Sequence, residues 1–295
     1  MDRAKFAPLS TLGQTPSGLE FLRLQGDEAK TLIYFPGLID ATFSPKELIK
    51  RRQKLFGPWA ALRTVYILSR RRPIPEGWGM VQMAADYADA ARWIIEQEHI
   101  VDERIDIAGA SFGGCLAMQF ALDHPQLLRR LVLQQCAARG DPAKQDEARG
   151  WTAQLERGEY LAFARAVVHQ SYPQRARWLN DCLALTTWPA VRVHLHRRCA
   201  DLARSLRAID GYDAMERLRT VRTPTLVMAG ALDEMVPLAL VRETTEQLPH
   251  AQLHVFEGAG HSVQVEQTQA YARVLAEFLD GPAPVGNDLR STRVA

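Results

Sequence analysis

Gly109-Ala110-Ser111-Phe112-Gly113-Gly114 stands between a short apolar run, Arg104-Ile105-Asp106-Ile107-Ala108, and a stretch in which Phe112, Leu116, Phe120 and Ala121 recur at helical spacing. A chain that passes straight from strand to helix must turn sharply. Glycines two positions to either side of the serine leave the room that such a strained turn needs. In the strand–turn–helix context, G-x-S-x-G is the pattern of a nucleophile elbow. The turn lifts the hydroxyl above the sheet edge and aims the first helical N–H groups at whatever the serine attacks. A phosphate-binding loop would carry more glycine or a following lysine, and neither is present here.

The rest of the chain repeats this alternation. Strand candidates are 19–25, 31–36, 64–68, 104–108, 131–135, 225–229 and 252–256. Most are continuous apolar runs, as expected of strands covered on both faces in a mainly parallel sheet. The first alternates, which predicts an antiparallel edge hairpin running through Gly26-Asp27 into the second. Between the strands lie helical stripes: Met83, Tyr87, Ala90, Ala91, Ile94 and Ile95; the stripe from Phe112, ending before His124-Pro125; and Tyr271, Val274, Leu275 and Phe278. The alternation predicts a doubly wound α/β sheet.

Residues 140–210 break the rhythm, with helix formers, aromatics and charges but no convincing strand. The stretch is too long for a loop in a compact domain and is expected to be an inserted helical unit. The core is then 1–139 together with 211–295. The last fifteen residues, poor in apolar side chains, are expected to form a loose tail.

Composition removes several function classes. The 295 residues are 47% hydrophobic, which excludes wholesale disorder, and no run approaches the ~18 apolar residues of a membrane span. The N-terminus lacks a basic-then-apolar leader, so the cytoplasm is the expected compartment. Lysine is found only at 5, 30, 46, 50, 54 and 144, so Arg dominates the 36 basic residues. The Arg are scattered and 34 acidic residues balance them, so no nucleic-acid partner is expected. Cys115, Cys136, Cys182 and Cys199 form no CxxC pair and read as reduced thiols. His194 and His196 with Cys199 form only a fragment of a zinc pattern, so neither metal nor cofactor is expected.

A serine hydroxyl needs a base. His261, in Glu257-Gly258-Ala259-Gly260-His261-Ser262, follows the last strand and is flanked by glycines that free its loop to swing over the sheet edge. His99, His124, His169 and His250 read as helix-end or surface residues. The base in turn needs a carboxylate to fix its tautomer. Asp233 sits just after the 225–229 strand, at the edge where α/β sheets place their sites, although an Asp before Val236-Pro237 also suits a helix N-cap. Glu234, one residue on, should point elsewhere. For the oxyanion, two N–H donors are needed: Phe112, after the nucleophile, and Leu38, in the turn Pro36-Gly37-Leu38 after the 31–36 strand.

The order Ser111, Asp233, His261, carried by GASFGG, TPTLVMAGALDEMVP and FEGAGHSVQVEQ, resembles the α/β-hydrolase fold superfamily. Within it the chain is similar to the cap-bearing esterases, enol-lactonases, C–C bond hydrolases and cofactor-free haloperoxidases. The resemblance covers about residues 19–139 and 211–280. It implies a catalytic triad of Ser111, His261 and Asp233, with an oxyanion hole at Leu38 and Phe112. Where the family usually has His-Gly, this chain has Pro36-Gly37. The insert at 140–210 resembles the helical cap, and Trp151, Trp178 and Trp188 are candidates for lining a substrate pocket. So is one of seven Arg between 173 and 209 (Arg175, Arg177, Arg192, Arg197, Arg198, Arg204, Arg207), which could hold a substrate carboxylate. The resemblance implies hydrolysis of a small-molecule ester, thioester or lactone through an acyl-enzyme. A C–C hydrolase, an acyltransferase and a non-catalytic ligand receptor of the same fold are the alternatives, and a homo-oligomer is left open.

Overall fold

The apolar runs become the centre of one mixed sheet. The computed structural model describes residues 9–27 and 30–282. Its strands are β1 (Ser10–Gln14), β2 (Glu20–Leu24), β3 (Thr31–Phe35), β4 (Thr64–Leu68), β5 (Ile105–Ala110), β6 (Leu128–Gln134), β7 (Thr225–Gly230) and β8 (Ala251–Phe256), in the order β1-β2-β4-β3-β5-β6-β7-β8. From β4 through β8 every pairing is parallel, whereas β2 pairs antiparallel with both β1 and β4. This is the doubly wound, mainly parallel α/β sheet that the alternation predicted.

Two expectations fail at one edge. β1 was not foreseen: it is short, paired on one side only, and its exposed positions Thr11, Leu12 and Gln14 carry no core-facing stripe. The expected hairpin between the first two predicted strands does not form either, because β4 lies between β2 and β3. At Gly26 a Cβ would strike the backbone carbonyls of Ala60 and Arg63. The chain there squeezes past the loop that leads into β4 and enters β3 on the far side. Much of the predicted C-terminal tail, from 283 on, lies outside the described residues.

The helices cover both faces. α2 (Met80–Gln97) and α3 (Phe112–Asp123) bury their stripes against Ile33, Phe35 and Ile107 on one side. α1 (Ile49–Ala60) and α9 (Thr268–Asp280) pack against Leu32, Tyr34 and Ala108 on the other. Successive β3 residues thus enter opposite cores, the reason the strand reads as a continuous apolar run. Between β6 and β7 the chain forms α4 (Gln145–Glu156), α5 (Tyr160–Ser171) and α6 (Arg177–Ile209), with a small core of Leu155, Phe163, Leu195, Leu202 and Leu206. α7 (Leu238–Gln247) follows β7, and a single turn, α8 (Val263–Glu266), precedes α9. Among the described residues no helix is long and apolar enough to cross a membrane.

At the opposite end of the sheet from the strand C-termini, Asp106 is fully buried. Its carboxylate accepts from Arg129 at 2.9 and 2.6 Å and from Arg63 at 3.4 Å, and Arg63 also reaches Asp280 at 2.9 Å. The Arg63 side chain is itself buried, so removing its central anion leaves a charge with little access to water. Asp106→Ala is expected to lower the free energy of unfolding by about 3–5 kcal/mol, read from urea denaturation.

Candidate active site

The parallel strands end on one edge, and the turns that follow them converge there. After β5 the chain turns at Ser111, whose backbone adopts φ 51° and ψ −121°, a conformation L-residues rarely occupy. Such a residue costs about 1–3 kcal/mol and persists only when its surroundings fix it. Here the Ser111 N–H donates to the Gln134 carbonyl at 2.8 Å, and its carbonyl accepts from the N–H groups of Gly114 (2.8 Å) and Cys115 (3.1 Å). The glycines are sterically required: a Cβ on Gly109 would strike the Gly113 carbonyl, one on Gly113 would strike Phe35 and Pro36, and one on Gly114 would meet Cys136.

The elbow brings Ser111 to His261 and Asp233. Ser111 Oγ lies 3.0 Å from His261 Nε2, and His261 Nδ1 lies 2.7 Å from Asp233 Oδ2. A proton on Nδ1 donates to the carboxylate and leaves Nε2 to accept from the serine hydroxyl. Asp233 is buried, and its other oxygen accepts from the N–H groups of Met235 and Val236 at 2.9 Å each. One oxygen braces the turn after β7 and the other faces the imidazole; the helix N-cap reading of Asp233 is not met, because the N-cap of α7 is Pro237, with no side-chain cap. Glu234 is exposed and points elsewhere.

Glu266 is a site residue that sequence reasoning missed. Its carboxylate accepts from the N–H of Gly260 (3.2 and 3.3 Å) and of Ser262 (3.2 Å), clamping the loop on both sides of His261. The signal was a Ser followed four residues later by Glu at a helix start, close to a capping pattern.

Leu38 and Phe112 flank the serine. A Cβ on Gly37 would stand 3.7 Å from Ser111 Cβ, so the Pro36-Gly37-Leu38 turn lies directly beside the elbow. Phe112 opens α3, where the first N–H groups have no intrahelical acceptor.

Leu38, Ser111 and Phe112 line a cavity of about 580 Å³. Trp151, Leu206, Ile209, Tyr212 and Val236 contribute apolar wall, and Arg139, Lys144, Glu147 and Arg149 lie farther along it. Of the three tryptophans expected at the pocket, only Trp151 lines it. Trp178, in the first turn of α6, is 65% exposed. Trp188 packs against the helical core and borders a separate surface groove beside Tyr160. Of the seven Arg between 173 and 209, only Arg207 lines the cavity, and it is already ion-paired with Glu156. Cys115 and Cys136 also line it, but burial pushes the Cys115 thiol up to about 12 and that of Cys136 well up, so neither supplies a thiolate. His194 stacks on Phe43, and burial lowers its pKa to about 4; His196 is exposed. Among the described residues no three potential ligands group around a metal position.

Gly113 is the tightest of these contacts. Gly113→Ala is expected to destabilise the protein by at least about 1–3 kcal/mol, seen as a lowered melting temperature. Gly140, where a Cβ meets nothing within 4 Å, should accept the same change with little effect.

Residues 69–268 match the family model of the α/β hydrolase fold. The chain is 30% identical over 240 residues to a 2-hydroxymuconate semialdehyde hydrolase of Pseudomonas sp. (strain CF600), covering 75% of this chain and 80% of that one. It is 29% identical over 241 residues to a 2-hydroxy-6-oxo-2,4-heptadienoate hydrolase of Pseudomonas putida, covering 75% and 83%. The crystal structure of the enol-lactonase from Burkholderia xenovorans LB400 superposes with a TM-score of 0.71 at 18% identity, covering 92% of this chain and all of that one. The sheet order, the elbow and these matches agree: the chain belongs to the α/β hydrolase fold family of enzymes.

Proposed function

We propose that this enzyme is a serine hydrolase that cleaves a small-molecule ester, thioester or lactone through an acyl-enzyme. The observation that carries this reading is the unbroken line from Ser111 Oγ through His261 to Asp233, with contacts of 3.0 and 2.7 Å. Ser111 Oγ attacks the carbonyl carbon as His261 Nε2 takes the hydroxyl proton, and Asp233 stabilises the imidazolium that forms. The oxyanion accepts from the Leu38 and Phe112 N–H groups. His261 then returns the proton to the departing alcohol, thiol or lactone oxygen. Water, deprotonated by His261, attacks the acyl-enzyme and releases the acid and Ser111. Residues 140–210 act as the cap over this site, with α4 and α6 forming cavity wall. A cytoplasmic setting agrees with the four free thiols.

The cavity wall suits a substrate with an apolar acyl or alcohol group. Its arginines are already engaged: Arg139 with Glu243 at 2.9 Å, Arg149 with Asp210 at 3.4 Å, and Arg207 with Glu156. At each arginine a substrate carboxylate would have to displace a protein one, which leaves Lys144, donating to the Glu234 carbonyl, as the cation open to it, whereas an apolar acyl or alcohol group meets Trp151, Leu206 and Ile209 directly.

The relatives favour a second reading, C–C bond hydrolysis on the same three side chains. Their names include a dienoate and a semialdehyde, neither of them an ester or a lactone, so hydrolysis of such a compound would break a carbon–carbon bond. Here Arg207 would leave Glu156 to hold the substrate carboxylate.

Ser111→Ala is expected to lower kcat on short p-nitrophenyl esters by roughly 10⁴-fold or more with the fold intact by circular dichroism, and His261→Ala by a similar factor, since such residues act as a unit. Retained turnover in either variant would exclude the assignment. Wild-type kcat/KM on esters and lactones is expected to exceed that on a 2-hydroxy-6-oxo-dienoate. A tenfold preference for the dienoate, with its KM raised by Arg207→Met, would select the C–C reading instead.

A further inference from the structure

Arg70, two residues past β4, is almost fully buried, and no carboxylate among the described residues lies within ion-pair distance of it. Burying a guanidinium without an anion is costly, so its surroundings must supply other acceptors. They lie around the turn that flanks Ser111 and on α6, with the Tyr87 hydroxyl and the Asp201 carboxylate also drawing on the cation. Nη1 donates to Ser205 Oγ of α6 at 2.7 Å, and the two terminal nitrogens approach the carbonyl oxygens of Leu38 and Gly37 at 3.5 Å each. The guanidinium carbon lies 4.2 Å from the centre of the Phe112 ring. Burial lowers the pKa of the side chain to about 10, so it remains a cation at neutral pH.

The Gly37 carbonyl and the Leu38 N–H belong to one peptide plane, and in a trans peptide they point in opposite directions. A cation on the carbonyl side therefore fixes where the N–H points. The Ala41 N–H donates to the same oxygen at 3.1 Å, and the Arg70 N–H donates to the Ala41 carbonyl at 3.1 Å, so one residue braces the turn from its side chain and its backbone. Without this bracing, a turn containing glycine can flip the peptide and present the carbonyl, an acceptor that would repel an oxyanion.

We propose that Arg70 is the positioning residue of the oxyanion hole, locking the Gly37–Leu38 peptide with its N–H toward the Ser111 side and tying that orientation to α6 through Ser205. The inference rests on the serine-hydrolase reading above. It assigns to Arg70 no contact with substrate.

The test is steady-state kinetics on a p-nitrophenyl ester for the wild type, Arg70→Met, Arg70→Lys and Ser205→Ala, with inhibition by a trifluoromethyl ketone and by the product acid. Arg70→Met is expected to lower kcat roughly 10- to 100-fold, less than the ~100- to 1000-fold for deleting a donor outright, with KM changed by less than about threefold. Affinity for the ketone, whose adduct carries an oxyanion, should fall by the same factor as kcat/KM, while affinity for the product acid stays. Arg70→Lys should recover part of kcat. Ser205→Ala, which removes only a hydroxyl, gives the same kcat-only pattern at roughly 2- to 5-fold and serves if Arg70→Met does not fold. Unchanged kcat in these variants, or a loss confined to KM and to melting temperature, would overturn the inference while Ser111-dependent turnover left the hydrolase reading standing. Wild-type turnover that survives Ser111→Ala would overturn both.

Discussion

Two backbones meet at van der Waals distance where α3 begins, and the geometry of the site follows from that meeting. Gly113 lies so close to the Phe35 and Pro36 carbonyls, and Gly109 so close to Gly113, that no side chain larger than hydrogen fits at either position. The approach forces the chain through an uncommon conformation at Ser111, and it also sets the end of β3 against the elbow. Ser111 and the candidate oxyanion turn are thus neighbours for one steric reason. The strain at Ser111 is carried by hydrogen bonds to Gln134, Gly114 and Cys115, groups fixed in β6 and in the first turn of α3.

The remaining groups arrive by strand order. β5, β6, β7 and β8 lie side by side and parallel, so the turns after β7 and β8 open on the same edge as the elbow. Asp233 follows β7 and His261 follows β8, and the imidazole spans the gap back to Ser111 at β5. A carboxylate braces each loop: Asp233 accepts from the N–H groups of Met235 and Val236, and Glu266 accepts from the amides on either side of His261. Orientation of the imidazole is therefore built into the loops of the protein itself, the preorganisation that the proposed proton transfer would need.

This organisation was legible in part. The buried strands could be read because both faces of the central strands are covered, which makes most of them largely apolar runs. Ser111, Asp233 and His261 could be read because each follows such a run in a loop marked by glycine. What stayed hidden depends on contacts between distant segments. β1 has one neighbour and an exposed face, so nothing in its own residues marks it. The β2–β3 hairpin was wrong because pairing order is set by where β4 inserts, and adjacency in sequence does not report that. Trp178 and Trp188 both lie in α6, yet the first faces outward and the second packs among the insert's helices, because helical phase and not residue type decides which aromatic reaches the cavity. Arg70 sits in an Arg-rich stretch, Ser69-Arg70-Arg71-Arg72, in which composition cannot tell the buried side chain from those paired with Asp86 and Glu20.

The helical insert is fastened to the core at the places where the site is most sensitive to position. The back half of α6 is tied to the segment after β4: Ser205 to Arg70 at 2.7 Å, Asp201 to the Ile74 N–H at 2.9 Å, and Arg204 to the Ile74 carbonyl at 2.9 Å. At its other end the insert touches the histidine loop, for a Cβ on Gly260 would come within 3.1 Å of Ser171, Pro173 and Gln174. One unit thus abuts both the turn beside Ser111 and the loop that carries His261. Moving the insert to enlarge the cavity would shift those loops as well, and a displacement of about 1 Å can cost a large factor in rate. Of the apolar wall residues, Trp151 on α4 makes none of these ties, so the shape of the cavity could be altered there with least disturbance to the residues that hold Ser111, His261 and Asp233 in line.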